Sequence, residues 1–198
     1  SSASLSKYEI WNTLDSSVAA LFEHVYGTTA AEEKYGIITG KKQNPSYGIV
    51  NRLNEMDKPI WGLSDELIES EVTPDWVTDD EKFSLVKERE IENYHEIVDL
   101  AMRLTDRRQE AKLDEIRNSI SRGEKVLAFD SSVITLTLFA TILQNEGVET
   151  ELFTGSDGKT KKNRVEKAEK IFGLDSEERP VAGLLSDCMS EGINLQGS

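Results

Sequence analysis

The sequence predicts an α/β protein in two parts: an all-helical segment over residues 1–105, then a parallel sheet with connecting helices over 106–198. Two observations predict it. Apolar residues recur at three- and four-residue spacing through the first part, the mark of amphipathic helices. In the second part short apolar runs (KVLAF, VAGLL) bounded by turn formers alternate with helical patterns, and a β-α-β-α-β order with short loops implies a parallel sheet with right-handed crossovers.

Residues 1–9 are small and polar and read as a frayed start. Trp11, Leu14, Val18, Leu21, Phe22 and Val25 form one face of a single helix that Gly27 stops. Thr28 to Tyr35 reads as a short helix ended by Gly36, and 37–46 as a loop. Tyr47, Val50, Leu53 and Met56 predict a helix that stops before Pro59. From Asp57 to Glu81, nine acidic residues mix with Pro59, Pro74, Trp61 and Trp76. This reads as an irregular connector with a short helix around Asp65 to Glu69, pinned to the core by its tryptophans.

The longest periodic run follows: Phe83, Val86, Ile91, Tyr94, Ile97, Val98, Ala101 and Leu104 line one side of a helix beginning near Asp80. His95 lies near that face and reads as a satisfied core or boundary histidine. Asp106 and Gln109 have the form of a capping box opening a helix that buries Leu113, Ile116 and Ile120 and ends at Gly123.

Lys125 to Phe129 is the first expected strand, ending at Asp130-Ser131-Ser132. Val133 to Glu146 is a strongly apolar helix closed by Gly147. Val148, Thr150 and Leu152 alternate with Glu149 and Glu151, the pattern of a strand near a sheet edge. Lys161 to Phe172 is a helix burying Val165, Ala168 and Ile171 or Phe172. Val181 to Leu185 is apolar throughout, as expected of a strand covered on both faces.

Composition excludes several classes. One cysteine, Cys188, rules out an internal disulfide framework and points to a reducing, cytoplasmic setting. Two distant histidines give no zinc spacing. No apolar run approaches membrane-span length, and Asp15, Glu23 and His24 break the first apolar stretch where a secretory leader would be continuous. The net charge of −14 is unusual for a nucleic-acid-binding protein, although a local basic face is compatible with it. Lys159, Lys161, Lys162, Arg164, Lys167 and Lys170 form the main basic cluster, which helical geometry cannot place on one face. Gly158-Lys159-Thr160 sits where a P-loop would, but only two residues separate Gly155 from Gly158 where the P-loop pattern needs four. Cys188 has no histidine nearby in sequence to activate it as a nucleophile.

The last eighteen residues carry a resemblance. Ser186-Asp187 followed by Ser190-Glu191-Gly192-Ile193-Asn194-Leu195-Gln196 resembles motif V of superfamily-two helicases, in the wording of the Swi/Snf-like translocases and their bacterial relatives. KVLAFDSS resembles motif IV of the same family, LFTGS its strand-then-glycine element, and Arg164, Ala168 and Phe172 its R-x-x-x-A-x-x-x-F helix. Lys112 to Gly123 resembles the helix that leads into this lobe. Together these cover roughly the last 90 residues.

The resemblance implies a partial RecA-like second lobe of an ATP-dependent DNA translocase, preceded by a helical protrusion or linker. It places Ser131, Ser132, Thr154, Gly155, Lys159, Lys162 and Ser186 at nucleic-acid backbone contacts, where strand ends and helix N-termini grip phosphates. It places Glu191, Gly192 and Asn194 toward an ATP cleft shared with a first lobe. Turn and cap chemistry is the alternative role for the small polar residues among these, and for Lys159 and Lys162 the alternative is a solvated helix face beside Glu166 and Glu169. Neither a complete Walker A, nor a DEAH sequence, nor an arginine-rich motif VI occurs in these residues. ATP and Mg2+ are therefore expected to act only in a larger parent chain, with double-stranded DNA as partner. An open sheet flank after motif V makes self-association expected. The alternative function is a non-catalytic interaction module, in which the acidic helical part binds a basic partner and the α/β part is scaffold.

Overall fold

The computed structural model describes residues 2–40, 48–57, 75–104, 107–155, 161–173 and 181–186. The helical part comprises α1 (Ser2–Ser16), α2 (Val18–Tyr26), α3 (Thr28–Tyr35), α4 (Ile49–Glu55), a 3-10 turn (Asp75–Val77) and α5 (Asp80–Arg103). The expected frayed start is instead the first turns of α1. The single helix expected from Trp11 to Val25 is two helices with a corner at Ser17. There the backbone is extended (φ −167°, ψ 166°) and Ser17 Oγ accepts from the amide of Ala20 at 3.0 Å. A one-residue corner leaves the apolar period intact, so periodicity alone does not register it. Gly27 (φ 93°) and Gly36 (φ 64°) close α2 and α3 in the left-handed region that glycine tolerates. Tyr47, Trp61, Asp106 and the helix expected around Asp65 to Glu69 lie outside the described residues.

Leu21 and Val25 of α2, Val50 of α4, and Tyr94, Val98 and Ala101 of α5 form the core of this part. Val86 and Leu104, expected on the buried face of α5, are 42% and 62% exposed. The neighbouring helices cover only part of its apolar stripe.

The second part comprises α6 (Arg107–Ser121), β1 (Val126–Phe129), α7 (Val133–Asn145), β2 (Thr150–Phe153), α8 (Lys161–Phe172) and β3 (Ala182–Leu185). The three strands are parallel in the order β1-β3-β2, so β2 is an edge strand and β3 is central and buried along its length. Alternate residues face opposite sides. Val126, Ala128, Leu152, Ala182 and Leu184 pack under α6 and α7. Leu127, Phe153 and Leu185 pack against Ala168, Ile171 and Phe172 of α8. The chain steps two positions across the sheet through α7 and one position back through α8. Opposite steps with helices on opposite faces give both crossovers the same hand.

The apolar character all round α7 has a direct cause. Leu136, Phe139 and Leu143 face the sheet, while Ile134 and Leu138 face Ala19, Ala20 and Ala31 of the helical part. A helix packed on two sides has no polar stripe to keep. Arg117 of α6 pairs with Glu146 just beyond α7 (2.7 Å) and with Glu110 and Asp114, fastening α6 against the sheet face. Among the described residues no helix is long and apolar enough to cross a membrane.

Gly183 sets the approach of α8 to the sheet. A Cβ there would lie 2.6 Å from Phe172 Cζ and 2.8 Å from Leu127 Cδ2. Gly183→Val is expected to lower unfolding free energy by about 1–3 kcal/mol through overpacking. Urea denaturation measures this, and an unchanged midpoint would show that the helix is not seated as described.

Candidate nucleic-acid interface at the carboxyl edge of the sheet

The strands end in register, with Phe129 and Phe153 flanking Leu185. The next residues continue the row: the amide of Asp130 donates to Leu185 O at 3.2 Å, and that of Ser186 to Phe153 O at 3.0 Å. Asp130, Ser186 and Thr154 therefore stand side by side, about 5 Å per strand spacing. Because α7 and α8 each follow a strand, both begin at this edge, on opposite faces of the sheet. In a parallel α/β sheet this edge is where ligands bind.

The structure thus brings Ser131, Ser132, Thr154, Gly155 and Ser186 to one edge. Ser131 and Gly155 are exposed and Ser132 is half-buried, while Thr154 and Ser186 are buried. Ser132 also does local work as the N-cap of α7: its Oγ accepts from the amide of Thr135 at 3.4 Å, and its own amide donates to Asp130 Oδ1 at 2.9 Å. Lys162 lies in the first turn of α8, largely exposed, 3.8 Å from Glu166. Lys167 turns to the sheet, where its Nζ meets Glu151 at 2.5 Å. Arg164 is buried on the same stripe of α8 as Ala168 and Phe172. The basic cluster is therefore divided, as the helical geometry requires. Lys159, Glu191, Gly192, Asn194, Cys188 and the P-loop-like Gly158-Lys159-Thr160 lie outside the described residues.

Several residues at this edge were not singled out by sequence reasoning. The Asp130 side chain, only 15% exposed, accepts from Ser16 Oγ at 2.5 Å and lies 3.7 Å from Lys112 Nζ. Lys112 Nζ also donates to the carbonyls of Asp15 and Ser16 at 2.9 and 3.0 Å, and Arg108 pairs with Asp15. The α1–α2 corner is thereby tied to the turn after β1. A cleft of about 350 Å3 lies between them, with Ser131, Ser132 and Val133 on one wall and Asn12, His24 and Arg52 on the other. These residues come from α1, α2, α4 and the β1–α7 turn, so no local sequence pattern announces their meeting.

A second concavity, of about 900 Å3 and mainly apolar, lies in the helical part between α1, α4 and α5. Trp11, Leu14, Leu53, Val86, Ile97 and Leu100 line it, and its charged groups are Lys7, Lys87, Glu90 and Glu96. Trp76, expected to pin the connector, also lines this groove. His95 is exposed and satisfied: its Nδ1 and Tyr26 Oη are 2.7 Å apart and the rings stack. Among the described residues no group of three or more His, Cys, Asp or Glu side chains is placed to hold a metal ion. No protein-family model, curated protein or solved structure matches this chain.

His24 is the titratable group of the cleft whose environment acts on it most clearly. Burial holds its pKa below the ordinary imidazole value, with Glu9 opposing and Arg52 assisting. Its Nε2 is enclosed without a hydrogen-bond partner among the described residues. The folded state therefore favours the neutral ring. That stability is full above the ordinary histidine pKa and is lost as pH falls through it toward the lower folded value. Glu146, whose pKa is lowered chiefly by its hydrogen bond from Arg117, loses its contribution only at more acidic pH, below the ordinary carboxylate range. The urea midpoint is expected to fall between about pH 7 and 5, and His24→Gln should flatten that interval. An identical pH profile in the variant would contradict this assignment.

Proposed function

We propose that residues 106–198 are a partial RecA-like second lobe of an ATP-dependent, Swi/Snf-like DNA translocase, and that the carboxyl edge of the sheet grips the phosphate backbone of duplex DNA. One observation carries the reading: residues assigned to backbone contact by resemblance, scattered from Ser131 to Ser186 in sequence, share one edge of a parallel sheet. The chemistry suits phosphate. The positive dipole end of α7 faces this edge, although its Ser132 and Thr135 amides are already bonded to Asp130 and Ser132, and Ser131 and Gly155 let a backbone approach closely. Lys162 adds a charge at the start of α8. These contacts carry no sequence preference, as expected of a motor that moves along DNA.

In this reading Glu191, Gly192 and Asn194 face the nucleotide in the parent enzyme, where a first lobe completes the cleft. ATP with Mg2+ supplies the free energy that opens and closes the two lobes. The arginines that stabilise charge on the transferred phosphoryl group belong to other parts of the parent. The protein would work in the cytoplasm on double-stranded DNA, with backbone contacts that carry no sequence information.

A second reading is favoured by a different observation. The apolar groove beside α5 and the acidity of the helical part, with twenty acidic against ten basic residues in positions 1–105, suit a basic amphipathic partner. In that case the α/β part is scaffold. A DNA duplex that leaves the sheet edge untouched while a basic peptide fills the groove would favour it.

Fluorescence anisotropy with a labelled duplex at low salt tests the primary reading. A dissociation constant of order 10⁻⁴–10⁻⁶ M near physiological salt, tightening steeply as salt is lowered, is expected for a non-specific backbone contact. Ser131→Asp places a carboxylate at the edge and should weaken binding by about tenfold or more. The chain alone should show no ATP turnover. Absence of duplex binding at low salt, or ATP turnover abolished by Lys159→Ala, would contradict the proposal.

A further inference from the structure

We infer that Asp130 is a positioning residue, joined by a one-way chain of hydrogen bonds to the α1–α2 corner, so that docking of the helical part and the geometry of the Ser131–Ser132 turn form one equilibrium. The regulatory meaning of this coupling rests on the DNA-binding reading above; the coupling itself does not.

The direction of the chain follows from counting protons. A carboxylate only accepts, and each hydroxyl has one proton to give. Ser16 Oγ gives its proton to Asp130 Oδ1 at 2.5 Å. The contact between Ser16 Oγ and Thr135 Oγ1, at 2.7 Å, must then be donated by Thr135. The contact between Thr135 Oγ1 and Ser17 Oγ, also 2.7 Å, must in turn be donated by Ser17. Ser17 Oγ itself accepts from the amide of Ala20, in the first turn of α2. The relay therefore runs from the Ala20 amide through Ser17, Thr135 and Ser16 to Asp130. The same Asp130 oxygen takes the Ser132 amide from the other side.

Ser16, Ser17 and Thr135 are all buried, Thr135 completely. Aligned donors polarise one another, and at the buried Ser16–Thr135–Ser17 contacts each bond counts for more than it would in water, while the Asp130 end borders the cleft. A buried hydroxyl deprived of its partner is correspondingly costly. Moving the Ser131–Ser132 turn therefore disturbs the seat of α2, and moving α2 disturbs the turn. Coupling of this kind is reciprocal: a ligand that resets the turn alters the docking of the helical part by the same factor by which docking alters the ligand's affinity. The helical part is then a reporter of occupancy at the sheet edge, and an element through which a partner of the helical part tunes that edge.

Hydrogen exchange read by mass spectrometry on the whole chain tests this. Thr135→Val keeps the side-chain shape and removes the hydroxyl that joins Ser17 to Ser16, leaving Ser16 bonded to Asp130 but without its own donor. Ala19, Ala20 and Ala31 still seat the helical part on α7, so the fold is retained. Exchange is expected to rise about tenfold both at residues 12–20 and at residues 128–134, with α8 unchanged. A rise confined to one side of the interface overturns the coupling. If α8 also exchanges faster, Ser16→Ala decides: it removes the direct hydroxyl donor to Asp130 while leaving α7 intact, and must still speed exchange both in the α1–α2 corner and in the turn after β1. In the wild-type chain, duplex DNA should protect both regions, and in Ser16→Ala it should protect the α1–α2 corner less than in wild type. Duplex that binds and protects the turn alone in wild type overturns the coupling. Duplex that does not bind at all counts against the DNA reading, while the free-chain exchange still decides the relay.

Discussion

The pairing of β3 on both sides is the constraint on which the rest of the architecture depends. A strand inserted between β1 and β2, buried on both faces, must be apolar along its length. It must also be narrow where α8 crosses it, which is why Gly183 stands against Phe172. Parallel pairing obliges the chain to return each time through a helix, and the two returns, in opposite directions, cover opposite faces. From this follows the gathering of three strand ends and two helix starts at one edge. The candidate site is a consequence of topology before it is a matter of particular side chains.

The second constraint is the double duty of α7. It covers the sheet and receives the helical part, so its surface is largely apolar; Thr137 and Thr141 return their hydroxyls to the helix's own carbonyls, while Thr135 meets Ser16 and Ser17. That polar seam lies at the end of the helix adjoining the sheet edge. A seam of hydroxyls closed by a carboxylate tolerates one geometry, whereas the alanine contacts beside it tolerate sliding. The two halves of the interface thus divide the work: alanines bring the parts together, and the relay sets their alignment.

The α/β class, the order of its elements and both edge and central strands were legible in the sequence, because apolar runs and helical periods are local signals. Lys161 to Phe172 was read to the residue. The corner at Ser17 was not, since a cap interrupts the helix without shifting its apolar phase. Nor was the exposure of Val86 and Leu104, because a periodic stripe says which face is apolar and not how much of it a neighbour covers. The strand-end residues were found through resemblance, and topology then brought them together. Asp130 and its partner Ser16 are 114 positions apart and each is an ordinary turn residue in its own context, so their meeting has no local signature.

The central claim is that duplex DNA is met by the carboxyl edge of the sheet. Backbone amide NMR of the whole chain, titrated with a short duplex at low salt, tests it most directly. The account predicts that the amides of Ser131, Ser132, Gly155 and Ser186 shift together, with smaller changes at Ser16 and Ser17 across the seam. Shifts confined to the groove lined by Trp11, Ile97 and Leu100, with the strand ends silent, would contradict it.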